Sequence, residues 1–132
     1  MVLVDGNNVM GAGAAGWWRD RPAAARKLVD RLRCYRSATG DTVEVVFDVP
    51  DPDLPEGEHD GVVVRYATRR GRDAADDRIR ALLDARDLDE DDVNDVVEVI
   101  TSDRALAASA RERGARVTGA GAFLARLVDR GC

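Results

Sequence analysis

Four short apolar runs, rich in β-branched residues, recur along the chain, and each leads into an acidic residue. They are Val2-Leu3-Val4 into Asp5, Val43 to Phe47 into Asp48, Val62 to Ala67 leading to Asp73 and Asp76-Asp77, and Val96 to Thr101 into Ser102-Asp103. Runs of this length that are apolar throughout predict buried strands rather than one-sided ones. Between them the apolar positions fall at helical spacing. Pro22 opens a helix running to about Ser37 with Leu28, Leu32 and Tyr35 on one face, and Gly40 stops it. Asp73 starts a second helix with Ile79, Leu82 and Leu83 inward, and Asp103 to Arg113 forms a third. Ala115 to Thr118 reads as a short strand and Gly121 to Arg130 as a final helix. Gly6 to Arg21, with Trp17-Trp18, reads as a glycine- and alanine-rich loop. Residues 48–61 carry Pro50, Pro52 and Pro55, too many for a crossover helix, so an antiparallel pairing there stays open. Strands alternating with helices predict an α/β fold with a mostly parallel sheet covered on both faces.

That architecture gives the acids a meaning. Ligands of open α/β sheets bind in the crevice outside the carboxyl ends of the strands. Carboxylates delivered there from four distant segments converge, and converging carboxylates repel one another unless a cation neutralises them. The pattern therefore predicts a magnesium or manganese site, and with it phosphoryl chemistry.

Each candidate has a simpler reading beside it. Asp5-Gly6-Asn7-Asn8 suits a turn, but it follows a buried run, where Asp5 would bind metal and Asn8 would orient a ligand. Asp73, Asp76 and Asp77 share one helix face, where one acid would serve as a cap and the rest would be stabilised by the helix dipole. Three exceed what capping requires. Asp76 is the preferred metal ligand, Asp73 stands behind it, and Asp77 turns to solvent. At Thr101-Ser102-Asp103-Arg104, Ser102 or Asp103 is either an N-cap or part of the site. In the second case Asp103 is a ligand, while Ser102, the helix amides and Arg104 hold a phosphate. Asp48 ends its strand in the same way, and Arg70 is a further candidate for substrate contact. Trp17 and Trp18 are expected to cover apolar surface rather than stack on bases.

Composition narrows the field. The 132 residues fit one domain, 1–132, with 45% hydrophobic and 34% charged residues. No run approaches the roughly 20 apolar residues of a membrane span, and the opening run is too short for a signal peptide. A cytoplasmic location is expected, and in that compartment no disulfide between Cys34 and Cys132 is expected. Cys34 reads as a small buried residue. The single histidine, His59, leaves no Cys/His zinc constellation and no base for a Ser or Cys nucleophile. Net charge is −5, yet Arg65, Arg69, Arg70, Arg72 and Arg104 lie near the acids, while much acidity sits in Asp84 to Asp95, a solvated loop. The charge balance neither favours nor excludes nucleic acid.

The ordered motifs VDGNN at Val4 to Asn8, VVFD at Val45 to Asp48, GRDAADDRI at Gly71 to Ile79, ITSDRALA at Ile100 to Ala107 and GARVTGAGAFL at Gly114 to Leu124 resemble the YacP-like branch of the NYN domains, within the PIN-like nuclease superfamily. The resemblance covers essentially the whole chain. It implies a three-layer α/β/α fold with strand order 3-2-1-4-5 and a metal-dependent endoribonuclease. The substrate would be single-stranded or messenger RNA, in some relatives in association with translation, so a ribosome is a candidate partner. Asp5, Asp76 and Asp103 fall on the family's acidic site, Asp48 on its second-strand acid and Asn8 on the Asn of its opening motif. Asn7 stands where relatives commonly carry an aromatic, and Asp73 where they often carry a glutamate. The departure at Asp73 motivates an alternative: a non-catalytic RNA- or ribosome-binding module of the same fold. A phosphatase or receiver-like domain fares worse, since Asp5-Gly6-Asn7 lacks a second aspartate and Lys27, the only lysine, lies within a helix.

Overall fold

The computed structural model describes residues 1–13, 15–71, 73–86 and 96–132. Six strands form one sheet, in sequence order β1 (Val2–Asp5), β2 (Val43–Phe47), β3 (Gly57–His59), β4 (Val62–Tyr66), β5 (Glu98–Ile100) and β6 (Arg116–Thr118). Their spatial order is β3-β4-β2-β1-β5-β6, and every pairing is parallel except β3 with β4. Removing β3 leaves the expected 3-2-1-4-5 order. The extra edge strand comes from the proline-rich segment. Asp60 and Gly61 both adopt positive φ, 50° and 87°, which makes the two-residue turn that twists a hairpin correctly. The Asp-Gly pair was a legible signal for it.

Helices α1 (Gly6–Gly13), α2 (Arg21–Thr39) and α5 (Ala120–Asp129) cover one face of the sheet, and α3 (Ala74–Arg86) and α4 (Arg104–Glu112) cover the other. Strand alternation assigns each side chain to a layer. Val2, Val4, Val43, Val45 and Phe47 pack under α1, α2 and α5; Leu3, Val46 and Val99 pack under α3 and α4. By the same alternation, Asp5, Asp48 and Thr101 belong to the α3/α4 face. This parity decides where the site lies.

The expected loop from Gly6 to Arg21 is instead α1 followed by a short 3-10 turn at Trp17–Arg19. Glycine content argued against a stable helix, but burial of Val9 and Met10 against the sheet outweighs weak propensity. Gly6 permits the abrupt strand-to-helix turn, because a Cβ there would come within 2.5 Å of the Phe47 ring and 2.8 Å of the Val46 carbonyl. Trp17 is partly buried against the core, as expected, whereas Trp18 is 59% exposed. Helix α2 keeps its expected ends: Asp20 accepts from the Ala23 N–H at the start, and Gly40, with φ 77°, closes the other end.

Cys34 is exposed rather than buried and is bonded to Cys132, a correction on both counts. The end of α5 returns along α2, where Arg31 donates to the Cys132 carbonyl, and the two Cα atoms lie 5.7 Å apart. Pairing across 98 residues is not readable from two isolated cysteines. Reduction should lower the urea midpoint by the equivalent of about 2–4 kcal/mol, as expected for closing so long a loop. An unchanged midpoint under dithiothreitol would show that α2–α5 packing alone holds this corner. Among the described residues no helix is long and apolar enough to cross a membrane.

Candidate active site

The sheet changes direction at β1. From there β2 and β4 lie on one side and β5 and β6 on the other, so the carboxyl ends of β1 and β5 border the crevice where such sheets bind ligands. Asp5 stands at that point and is only 4% exposed. The Thr101 hydroxyl donates to its Oδ2 at 2.8 Å and accepts from the Asp103 N–H at 3.1 Å, linking the ends of the two central strands. Thr101, 1% exposed, was not singled out from the sequence. The available signal was its place as the last residue of an apolar run, with the parity of Val99.

Burial pushes the Asp5 carboxyl up to about 7, with the charges of Asp76 and Asp48 adding to the rise. The Thr101 hydroxyl and the Asn8 backbone oppose it. Asp76, in the first turn of α3, is raised to about 6 by partial burial and by the negative charge of Asp103, with smaller contributions from Asp73 and Asp48. Asp48 is raised by burial as well, and Arg21 moderates the effect. The structure thus brings Asp5, Asp48, Asp76 and Asp103 within electrostatic reach of one another around one end of the sheet. Groups that raise each other's pKa in a crevice are held in a state that a cation would relieve.

The remaining candidates divide. Asp73 is exposed and sits at φ 60°, just before α3, with its carbonyl accepting from the Asp77 N–H. It acts on Asp48 and Asp76 through its charge, from the edge of the cluster. Asp103 is the N-cap the sequence allowed: its Oδ1 accepts from the Leu106 N–H at 2.8 Å at the start of α4, and its charge reaches Asp76. Asp77 is turned outward to Arg69 and Arg80.

Asn8 and Ser102, expected to touch substrate, also use their side-chain oxygens on the scaffold. Asn8 Oδ1 accepts from the Ser102 N–H at 2.7 Å, and Ser102 Oγ accepts from the Ala120 N–H at 2.9 Å, capping α5. Asn7 does the same on the other flank, accepting from the Asp48 N–H at 2.9 Å. The Asn pair after Asp5 therefore ties β1 to both neighbouring strand ends. Arg70 and Arg104 are exposed, but Arg65 is committed to Glu44 and Arg69 to Asp77. Arg72 and the acidic stretch 87–95 lie outside the described residues. Asp84, within α3, pairs with Arg113, the residue just after α4.

The donor set is all oxygen and all carboxylate, which suits magnesium or manganese and not zinc. Among the described residues no three acidic, histidine or cysteine side chains stand close enough together to hold a metal ion.

Comparison with known proteins agrees with this fold. The crystal structure of Rae1 (YacP) from Bacillus subtilis superposes with a TM-score of 0.74 at 27% identity, covering 99% of this chain and 75% of that one. A point variant of the same protein gives 0.72 at 27% identity, covering 98% and 76%. No curated protein sequence matches the chain. The model of the YacP-like NYN domain matches residues 2–130, and the chain belongs to that nuclease-like family.

Proposed function

We propose that this protein is a metal-dependent endoribonuclease that hydrolyses phosphodiester bonds in single-stranded or messenger RNA. The observation that carries the reading is Asp5, buried at the point where the sheet changes direction and raised to about 7 by burial and by the charges of Asp76 and Asp48, with Asp103 acting in turn on Asp76. An apolar or structural role does not require four acids there. Membership of a nuclease-like family supports the same conclusion.

Asp5 and Asp76 would hold the cation, with Asp48 and Asp103 contributing directly or through water. A bound magnesium or manganese ion supplies an activated water and offsets charge on the phosphate. Thr101 fixes the rotamer of Asp5 and favours its charged form. Asn7 and Asn8 hold the strand ends at a constant separation. Exposed Arg104 and Arg70 would receive backbone phosphates on either side of the cut. No side chain is needed as nucleophile, so products would carry 5′-phosphate and 3′-hydroxyl ends.

Purified protein incubated with single-stranded RNA, with and without translating ribosomes, should yield fragments in manganese or magnesium and none in EDTA. Fragments only with ribosomes would make the ribosome a required partner. The commitment of Asp103 to capping favours one alternative, a non-catalytic RNA- or ribosome-binding module. Binding without product at every metal concentration would establish that alternative and overturn the nuclease reading.

A further inference from the structure

Beside the acidic cluster, on the opposite face of the sheet, lies a pocket of about 190 Å³ between α1, the start of α2, the segment after Asp48 and the end of β4. Its walls are apolar: Met10, Pro22, Ala25, Val49, Pro50 and the Tyr66 ring. Two of its polar groups are already committed. The Asp51 carboxylate is held by Arg26, and the Tyr66 hydroxyl donates to the Leu54 carbonyl. Asn7 and Arg21 remain. Asn7 uses its Oδ1 on the Asp48 N–H, which leaves its amide NH2 facing no partner among the described residues. Arg21 lies over the Trp17 ring at 5.2 Å, and its charge reaches the Asp48 carboxylate.

We propose that this pocket is a nucleobase subsite, which receives the base of a nucleotide adjoining the bond that is cut. The proposal rests on the nuclease reading for its substrate and adds where that substrate is gripped. Size is the first argument. At about 190 Å³ the pocket is below the ~300–1,000 Å³ of sites for larger ligands, so it admits one ring system and no more. Chemistry is the second. A base has apolar faces and a polar edge, and single-stranded RNA is gripped by stacking on side chains and by hydrogen bonds to that edge. Tyr66, Met10 and the prolines offer the faces, and the Asn7 amide offers donors to a ring nitrogen or carbonyl. Continuity is the third argument. Asn7 touches both the pocket and the backbone of Asp48, so a base seated there places its own phosphate toward the acids. Arg21 stands at the junction, where that phosphate needs a cation.

The test separates the pocket from the catalysis. Adenosine 5′-monophosphate titrated to millimolar concentration into isotope-labelled protein should shift the amide resonances of Met10, Val49 and Tyr66, whereas ribose 5-phosphate, which lacks the base, should not. Val49→Asp, at a position 63% exposed and so tolerant of change, should remove the adenosine response while leaving the rest of the spectrum in place. Equal responses to the two probes, no response to either, or an unaltered response in Val49→Asp would overturn the proposal. In a second arm, an abasic residue beside the cleaved bond should slow cutting roughly 10-fold. Equal rates with and without the base would overturn the subsite. No cleavage of either RNA would instead count against the nuclease reading, and the nucleotide titration would still decide the pocket.

Discussion

Asp5→Asn should abolish RNA cleavage, by about 10³-fold or more, while making the metal-free protein more stable near pH 7.5. The two effects have one origin. The wild-type carboxylate is buried among other acids, and burial pushes it up to about 7, so near-neutral pH forces a charge into a place that resists it. Asparagine keeps the shape, and its side-chain oxygen still accepts from the Thr101 hydroxyl, but the charge is gone. Removing the penalty should raise the unfolding free energy by roughly 2–4 kcal/mol at most, read from thermal or urea melts. Losing the anionic oxygens removes metal binding and several kcal/mol of transition-state stabilisation. Stability gained with function lost is the signature of a site held under electrostatic strain. An active variant, or an inactive one that melts lower than wild type, would sink the assignment of Asp5. Asp76→Asn should show the same pair of effects with a smaller gain, because its carboxyl is half exposed and water screens it.

The metal-free wild type should lose stability as pH rises from about 4 to 7, and magnesium or manganese should restore it. Asp5 and Asp76 both have folded-state values above the ordinary carboxylate range, about 7 and about 6 against 3.8. Well below 3.8 both are protonated in the folded and unfolded states and cost nothing. Between the two values the unfolded chain releases its protons while the folded chain retains them, so each pH increment favours unfolding. Above pH 7 the loss levels off. A cation binds only the deprotonated carboxylates, so its stabilisation should be near zero at pH 5 and largest at pH 8, roughly 10 °C in melting temperature at saturation. A metal-induced shift equal at both pH values, or absent in wild type at pH 8, would rule out the buried acids as the binding groups.

Much of this was written in the chain, in particular places. The strands were legible because both faces of the sheet are covered, which turns each strand into an unbroken apolar run. The acids at their ends were legible because they interrupt those runs. The boundaries of α2 were legible because capping is local chemistry, an Asp before the first turn and a Gly after the last. The Asp60-Gly61 hairpin was equally local and shows in the same kind of signal.

Other features belong to the tertiary structure because they depend on pairs far apart in sequence. Helix α1 forms despite three glycines because the sheet receives Val9 and Met10, a burial that no window of the sequence reports. Asn8 Oδ1 meets the Ser102 N–H because the β1 and β5 ends come together across 94 residues. Thr101 reaches Asp5 across 96, and Cys34 reaches Cys132 across 98. A sequence alone determined that acids would stand at the ends of buried strands. Only folding decided which of them face one another, because side-chain identity specifies what a group needs, whereas strand order and pleat specify what it meets.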